Sequence, residues 1–287
     1  MQKTHYIAIA VAIVLIALLY RLGNTVPPPK TQTAEMQRPS AGGAVAAGPN
    51  TVKAASFDSI LTASRSRLPK TAADSVKTME NELAAIRDSS RMAVVFERLA
   101  GVWKRNMGGQ VAAWYLAKAA KLENSEKKLT FAGQNFLQLM GNESSSSVQV
   151  WEAAEGVSCL EQSLKINPDN EETKLGLAEG YIEGTGEPMR GVQILLAIVK
   201  EKPNDVAANM LLGRMAIQSG QFDKAVGRFE TVLKQEPENK EALYFLAQAY
   251  EGKGDKKKAT ELLEKCKQLV NDPAFSNDID QQINSLK

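Results

Sequence analysis

Residues 206–239, VAANMLLGRMAIQSGQFDKAVGRFETVLKQEPEN, and residues 240–273, KEALYFLAQAYEGKGDKKKATELLEKCKQLVNDP, write one pattern twice at a spacing of 34. Leu212-Gly213, Ala216, Gly220, Phe222, Ala225, Phe229 and Pro237 are answered one period later by Leu246-Ala247, Tyr250, Gly254, Lys256, Ala259, Leu263 and Asn271. Large residues recur where two antiparallel helices would touch. Small ones recur where backbones would approach closely, and a Gly closes each intervening turn. A helix-turn-helix unit of this kind cannot bury its apolar face alone, so the spacing predicts a stack of units that share their apolar sides.

Carried by these residues, the chain resembles the tetratricopeptide repeat (TPR) family, most closely over 206–239 and 240–273, with Ala216 where a Tyr is usual and Leu263 where a Phe is usual. The resemblance implies an all-α fold, a right-handed superhelix of helix hairpins whose concave face holds a protein or peptide partner. Working outward, three looser units precede the pair, at 93–126, 127–170 and 171–205. In the first, Leu99-Ala100, Trp103, Ala112, Leu116 and Ala119 keep the offsets, while Met107 stands at the turn Gly position and Asn124 where Pro is usual. Trp103 and Trp114 read as core. The second carries Ala132-Gly133, Phe136 and Leu160 around a polar insertion at 141–147, expected to leave the stack as an exposed loop. The third is regular apart from one extra residue near the turn Gly184-Thr185-Gly186. Residues 56–92 are expected to form an N-terminal helical cap broken at Pro69, and 274–287 a capping helix with Ile279, Ile283 and Leu286 on one face.

The amino-terminal part has a different character. Tyr6 to Tyr20 contains neither a charge nor a Pro. Fifteen helical residues reach ~22 Å and Thr4 to Leu22 ~28 Å, against a hydrocarbon thickness of ~30 Å, with Arg21 placed to snorkel and the two tyrosines at interfacial positions. We expect residues 1–22 to be a single-pass transmembrane helix, an uncleaved signal anchor. A cleaved secretory signal is the competing reading, disfavoured because Tyr20-Arg21-Leu22-Gly23-Asn24 follows the run where small residues would be needed. Charge counts on the two sides do not fix orientation; resemblance to bacterial signal-anchored proteins implies a cytoplasmic (inner) membrane location with the repeats extracytoplasmic, in the periplasm. Residues 23–55, rich in Pro, Ala and Gly and poor in large apolar residues, are expected to be a flexible linker.

Composition bounds the chemistry. With 44% apolar residues and a formal net charge of +2, the 287-residue chain can bury a sizeable core and gives no bulk sign of nucleic-acid binding. Its one His, His5, lies at the membrane segment, so a His-based metal site or nucleophile in the repeats is not expected. Cys159 and Cys266 fall in second helices three units apart and read as small packing residues rather than a disulfide. No phosphate-cradling loop occurs. We expect no cofactor, no metal and no catalysis.

What the resemblance implies about binding can be placed residue by residue. Groove positions in the family fall two, five, nine and twelve places into each unit: Glu172, Leu175, Glu179 and Ile182, then Ala207, Met210, Arg214 and Ile217, then Glu241, Tyr244, Gln248 and Glu251. From these, Leu175, Glu179, Met210, Arg214, Ile217, Tyr244 and Gln248 are the expected partner-binding residues. Their mixture of apolar and polar groups suits an amphipathic peptide or helix, although Leu175 and Met210 could equally pack against the next helix. The Lys, Asn and Arg set with which some relatives clamp a carboxyl terminus is absent. The expected function is a membrane-tethered scaffold or adaptor; a self-associating structural module is the alternative, and an enzyme of unrecognised type comes third.

Overall fold

The computed structural model describes residues 52–270 and 272–286. The expected membrane helix over 1–22 and most of the linker lie outside the described residues. Among the described residues, no helix is long and apolar enough to cross a membrane. They contain thirteen α-helices and no strand. The first two are α1 (Phe57–Arg65) and α2 (Lys70–Ala85). Five antiparallel pairs follow: α3 (Ser89–Arg105) with α4 (Gly109–Glu123), α5 (Glu126–Asn142) with α6 (Ser146–Ile166), α7 (Glu171–Glu179) with α8 (Pro188–Glu201), α9 (Val206–Gln218) with α10 (Phe222–Gln235), and α11 (Lys240–Gly252) with α12 (Lys256–Val270). Helix α13 (Pro273–Leu286) packs on α12.

Each pair starts by a repeated local chemistry, and several of the turns share another. The first helix of every pair is N-capped by a short polar side chain: Asp88, Ser125, Asn170, Asp205 and Asn239 accept from the backbone N–H three residues on. Such caps contribute about 1 kcal/mol each by satisfying donors that the helix leaves unpaired. The turns close with a residue in the left-handed region, Gly220 at φ +70° and Gly254 at φ +82°. In both, the next N–H reaches back to a carbonyl of the last helical turn, Gln221 to Ala216 at 2.7 Å and Asp255 to Tyr250 at 2.9 Å. Met107 does the work of those glycines at φ +60°, with Gly108 donating to Trp103 O at 2.9 Å.

The core follows the 34-residue period. Leu212 packs with Leu195 and Ile198 of the preceding pair. Leu246 joins a cluster that holds Phe229 and Val232 of the pair before it. The two leucines therefore occupy equivalent places in neighbouring hairpins, each tying a first helix to the second helix behind it. Burying side chains such as Leu195, Phe229 and Trp103, all 0% exposed, stabilises by roughly 1.5–3 kcal/mol apiece. At Gly213, beside Leu212, an added Cβ would stand 2.6 Å from the Phe229 ring, so α9 and α10 approach as closely as they do only because no side chain intervenes.

Two insertions are accommodated inside helices. The extra residue of the third hairpin widens the end of α7 into a π turn over Gly180–Gly184, where Thr185 donates to Gly180 O at 3.1 Å. A π turn holds one more residue than an α turn, so Tyr181 stays 2% exposed against Leu160 and Leu177 and the register behind it is kept. The polar insertion at 141–147 does not form the exposed loop expected of it. It lengthens α5 and α6 to 17 and 21 residues and leaves a connection of residues 143–145. Gln149 Nε2 donates to Glu143 O at 2.6 Å and Gln110 Nε2 to Glu143 Oε2 at 3.1 Å, which ties the connection to its neighbours.

The last residues of the expected linker are docked rather than free. Ala55 N–H donates to Ser147 O at 2.8 Å, and Phe57 stacks on Trp114 with ring centroids 3.7 Å apart. Trp103 is fully buried, and Trp114 is half-buried beneath Phe57. Both cysteines are buried and unpaired, and burial pushes the Cys159 thiol up to about 11, which leaves it protonated and inert.

Candidate partner-binding groove

Successive first helices present one face to a shared concavity. Gln134 and Gln138 of α5, Glu172, Leu175 and Glu179 of α7, Met210 and Arg214 of α9, and Glu241 at the start of α11 line a cleft of about 580 Å³. The helical period places Leu175 and Glu179, like Met210 and Arg214, one turn apart on the same face. Met210 is 8% exposed, so it packs into the core and also forms the cleft floor.

The polar groups of the cleft are unevenly satisfied. Arg214 is paired with Glu183, and its guanidinium lies 5.8 Å from the Phe245 ring centroid. Gln134 Nε2 donates to Glu172 Oε1 at 2.8 Å, bridging α5 to α7. Glu179 has neither a hydrogen bond nor an ion pair among the described residues. Burial raises its pKa above the ordinary carboxylate range, and the Glu183 charge adds to this while Arg214 opposes it.

Of the expected binding residues, Leu175, Glu179, Met210 and Arg214 line this cleft, while Ile217, Tyr244 and Gln248 lie outside its lining. Ile217 packs on the α9–α10–α11 core. Tyr244 packs with Ile279 and Ile283 of α13, and Gln282 of the same helix donates to Glu251 at 3.1 Å. Helix α13 thus lies against the far end of the first-helix face. The residues of α5 were not anticipated. Counting five and twelve places into the 127–170 unit gives Phe131 and Gln138; Gln138 lines the cleft, and Phe131, one turn before Gln134, is 58% exposed. Among the described residues no group of three or more His, Cys, Asp or Glu is placed to hold a metal ion.

This arrangement defines a class: an all-α array of stacked helix hairpins with a groove along its first helices. More particularly, a family model described as tetratricopeptide repeat matches residues 216–276. A tetratricopeptide repeat protein from Parabacteroides merdae is similar in structure over 80% of this chain and 93% of its own, at 13% identity and a TM-score of 0.50. PilW, a widely conserved type IV pilus biogenesis factor, is similar over 67% and 92%, at 16% identity and a TM-score of 0.50. YrrB, described as a TPR protein with an unusual peptide-binding site, covers 66% and 92% at 19% identity and a TM-score of 0.45. At these identities the likeness is one of fold. No curated protein sequence matches the chain.

Proposed function

We propose that this protein is a non-catalytic scaffold, tethered to the inner membrane by its amino-terminal segment, that holds a protein or peptide partner in the groove of its first helices. The observation that carries the reading is the cleft itself. Leu175 and Met210 sit beside Glu179 and Arg214 in a concavity of about 580 Å³, a surface that pairs apolar contact with orienting polar groups. The fold likeness to tetratricopeptide repeat proteins supports an interaction role. Tethering is supported by the charge-free run from Tyr6 to Tyr20 and by the Pro-, Ala- and Gly-rich composition of the sequence that follows it.

A photo-crosslinking amino acid at Leu175, compared with one at Leu196 on α8, tests the groove in living cells. Leu196 is 46% exposed and lies on a second helix. Discrete adducts from position 175 and none from 196 are expected; the reverse would contradict the reading. Retention of the full chain in membranes after alkaline carbonate washing tests the tether, and a compartment-sensitive reporter fused after Lys287 tests its orientation. Self-association is favoured by one observation, the exposure of Met189 (65%) and Leu196 (46%) one heptad apart on α8. Light scattering of the full chain with both changed to Ser would reveal it as a fall in mass.

A further inference from the structure

The groove carries a charge opposite to that of the whole chain. The formal net charge is +2, yet the cleft lining holds Glu172, Glu179 and Glu241 against the single cation Arg214, which Glu183 already holds. A ligand carboxylate would find no free cation there. Glu179 stands without a partner among the described residues, half-buried beside Leu175 and Met210, where a carboxylate is partly stripped of water and an incoming donor would offset the loss. Along the same face Phe131 adds an exposed aromatic ring on α5, one helical turn from the cleft residue Gln134.

We propose that the groove selects a basic amphipathic segment, one that lays its apolar side on Phe131, Leu175 and Met210 and sets a Lys or Arg against Glu179. Apolar stems topped by a cation fit this surface, since the stem covers the greasy floor while the head reaches the carboxylate. Glu172 is already engaged by Gln134 and contributes field rather than a direct contact. Glu241, exposed at the start of α11, extends that field along the cleft. This rests on the reading that the concave face binds a partner.

The test uses the full chain and two fluorescein-labelled amphipathic peptides with the same leucine spacing, one carrying Lys and the other Glu at every remaining position. Fluorescence anisotropy at low salt should show the Lys peptide binding at least about tenfold more tightly, a difference that shrinks with added salt. Glu179→Gln should cut Lys-peptide affinity by about tenfold, the scale of one half-buried charged pair, without weakening the Glu peptide or lowering the thermal melt. Phe131→Ser should weaken both peptides. Equal binding of the two peptides, with Phe131→Ser still harmful, would overturn the charge selectivity and leave the groove standing. Binding indifferent to both Phe131→Ser and Leu175→Ser, or no binding of the Lys peptide, would overturn the groove reading as well.

Discussion

The guanidinium of Arg214 is paired with Glu183, one helical turn beyond Glu179, so the one cation in the cleft lining is committed to the wall and Glu179 is left to the ligand. The pairing sets the electrostatics of the whole groove. Arg214 acts on Glu179 through space, opposing the effects of burial and of the Glu183 charge.

Removing that opposition gives a first prediction. In wild-type protein the Glu179 carboxyl, followed by carbon-detected NMR, should titrate above the ordinary carboxylate range, and in Arg214→Gln higher still. The folded pKa is raised, so the protein binds an extra proton relative to its unfolded chain. Stability is therefore lost as pH climbs from the unfolded value through the raised one. A Glu179 midpoint that falls in Arg214→Gln would show that Arg214 does not act on it.

Glu152 supplies a second pH dependence. It is fully buried on α6, and neither carboxylate oxygen has a hydrogen-bond partner. Burial, with the charge of Glu143 behind it, pushes its pKa to about 8 against the opposing influence of the nearby Gln110 amide, which donates to Glu143 at 3.1 Å. With the unfolded group near 4.5, stability should fall as pH rises from about 4.5 to 8 and level off above. Thermal melts of Glu152→Gln should coincide with wild type near pH 4.5 and lie several degrees higher at pH 8.5. Parallel curves at all pH values would mean that Glu152 finds a partner when ionised.

Met107 is an L-residue in the left-handed region at φ +60°, and its side chain is 96% exposed. That conformation costs an ordinary residue roughly 1–2 kcal/mol, of which glycine's extra chain entropy returns about half. Met107→Gly should therefore stabilise by about 1 kcal/mol, a rise in Tm of about 2–4 °C by differential scanning calorimetry. An unchanged or lower Tm would show that Met107 holds the turn through contacts that its exposure conceals.

Two glycines on neighbouring helices make opposite predictions. At Gly213 a Cβ would meet the Phe229 ring at 2.6 Å, whereas at Gly227 nothing lies within 4 Å. Gly213→Ala should destabilise by about 1–3 kcal/mol through overpacking. Gly227→Ala, in the exposed interior of α10, should stabilise by about 0.5–1 kcal/mol. Chemical denaturation of the pair decides the matter, and equal effects would mean that α9 and α10 can separate without cost.

Much of this architecture is legible in the sequence wherever local chemistry repeats. The equivalence of Leu212 and Leu246 and the turn glycines Gly220 and Gly254 follow from a 34-residue offset, and the duty of Met107 from its matching place within the unit 93–126. Position counting likewise brings Leu175, Glu179, Met210 and Arg214 into one cleft. Sequence is silent where an insertion has more than one outlet. A single extra residue can sit in a loop or widen a helix, and only the packing of Tyr181 against Leu160 favours the π turn at Gly180–Gly184. The same ambiguity hides the lengthening of α5 and α6, whereas Phe131 and Gln138, which precede the insertion, are reachable by the same position counting. Tyr244 leaves the cleft because α13 packs against it, a tertiary event that its own repeat does not encode.

Binding on the concave face is tested most directly by methyl NMR of the full chain with a nitroxide-labelled Lys peptide. Paramagnetic broadening should erase the methyl signals of Leu175 and Met210 and leave those of Met189 and Leu196, on α8, sharp. Broadening confined to Met189 and Leu196, with the groove methyls untouched, would contradict the account.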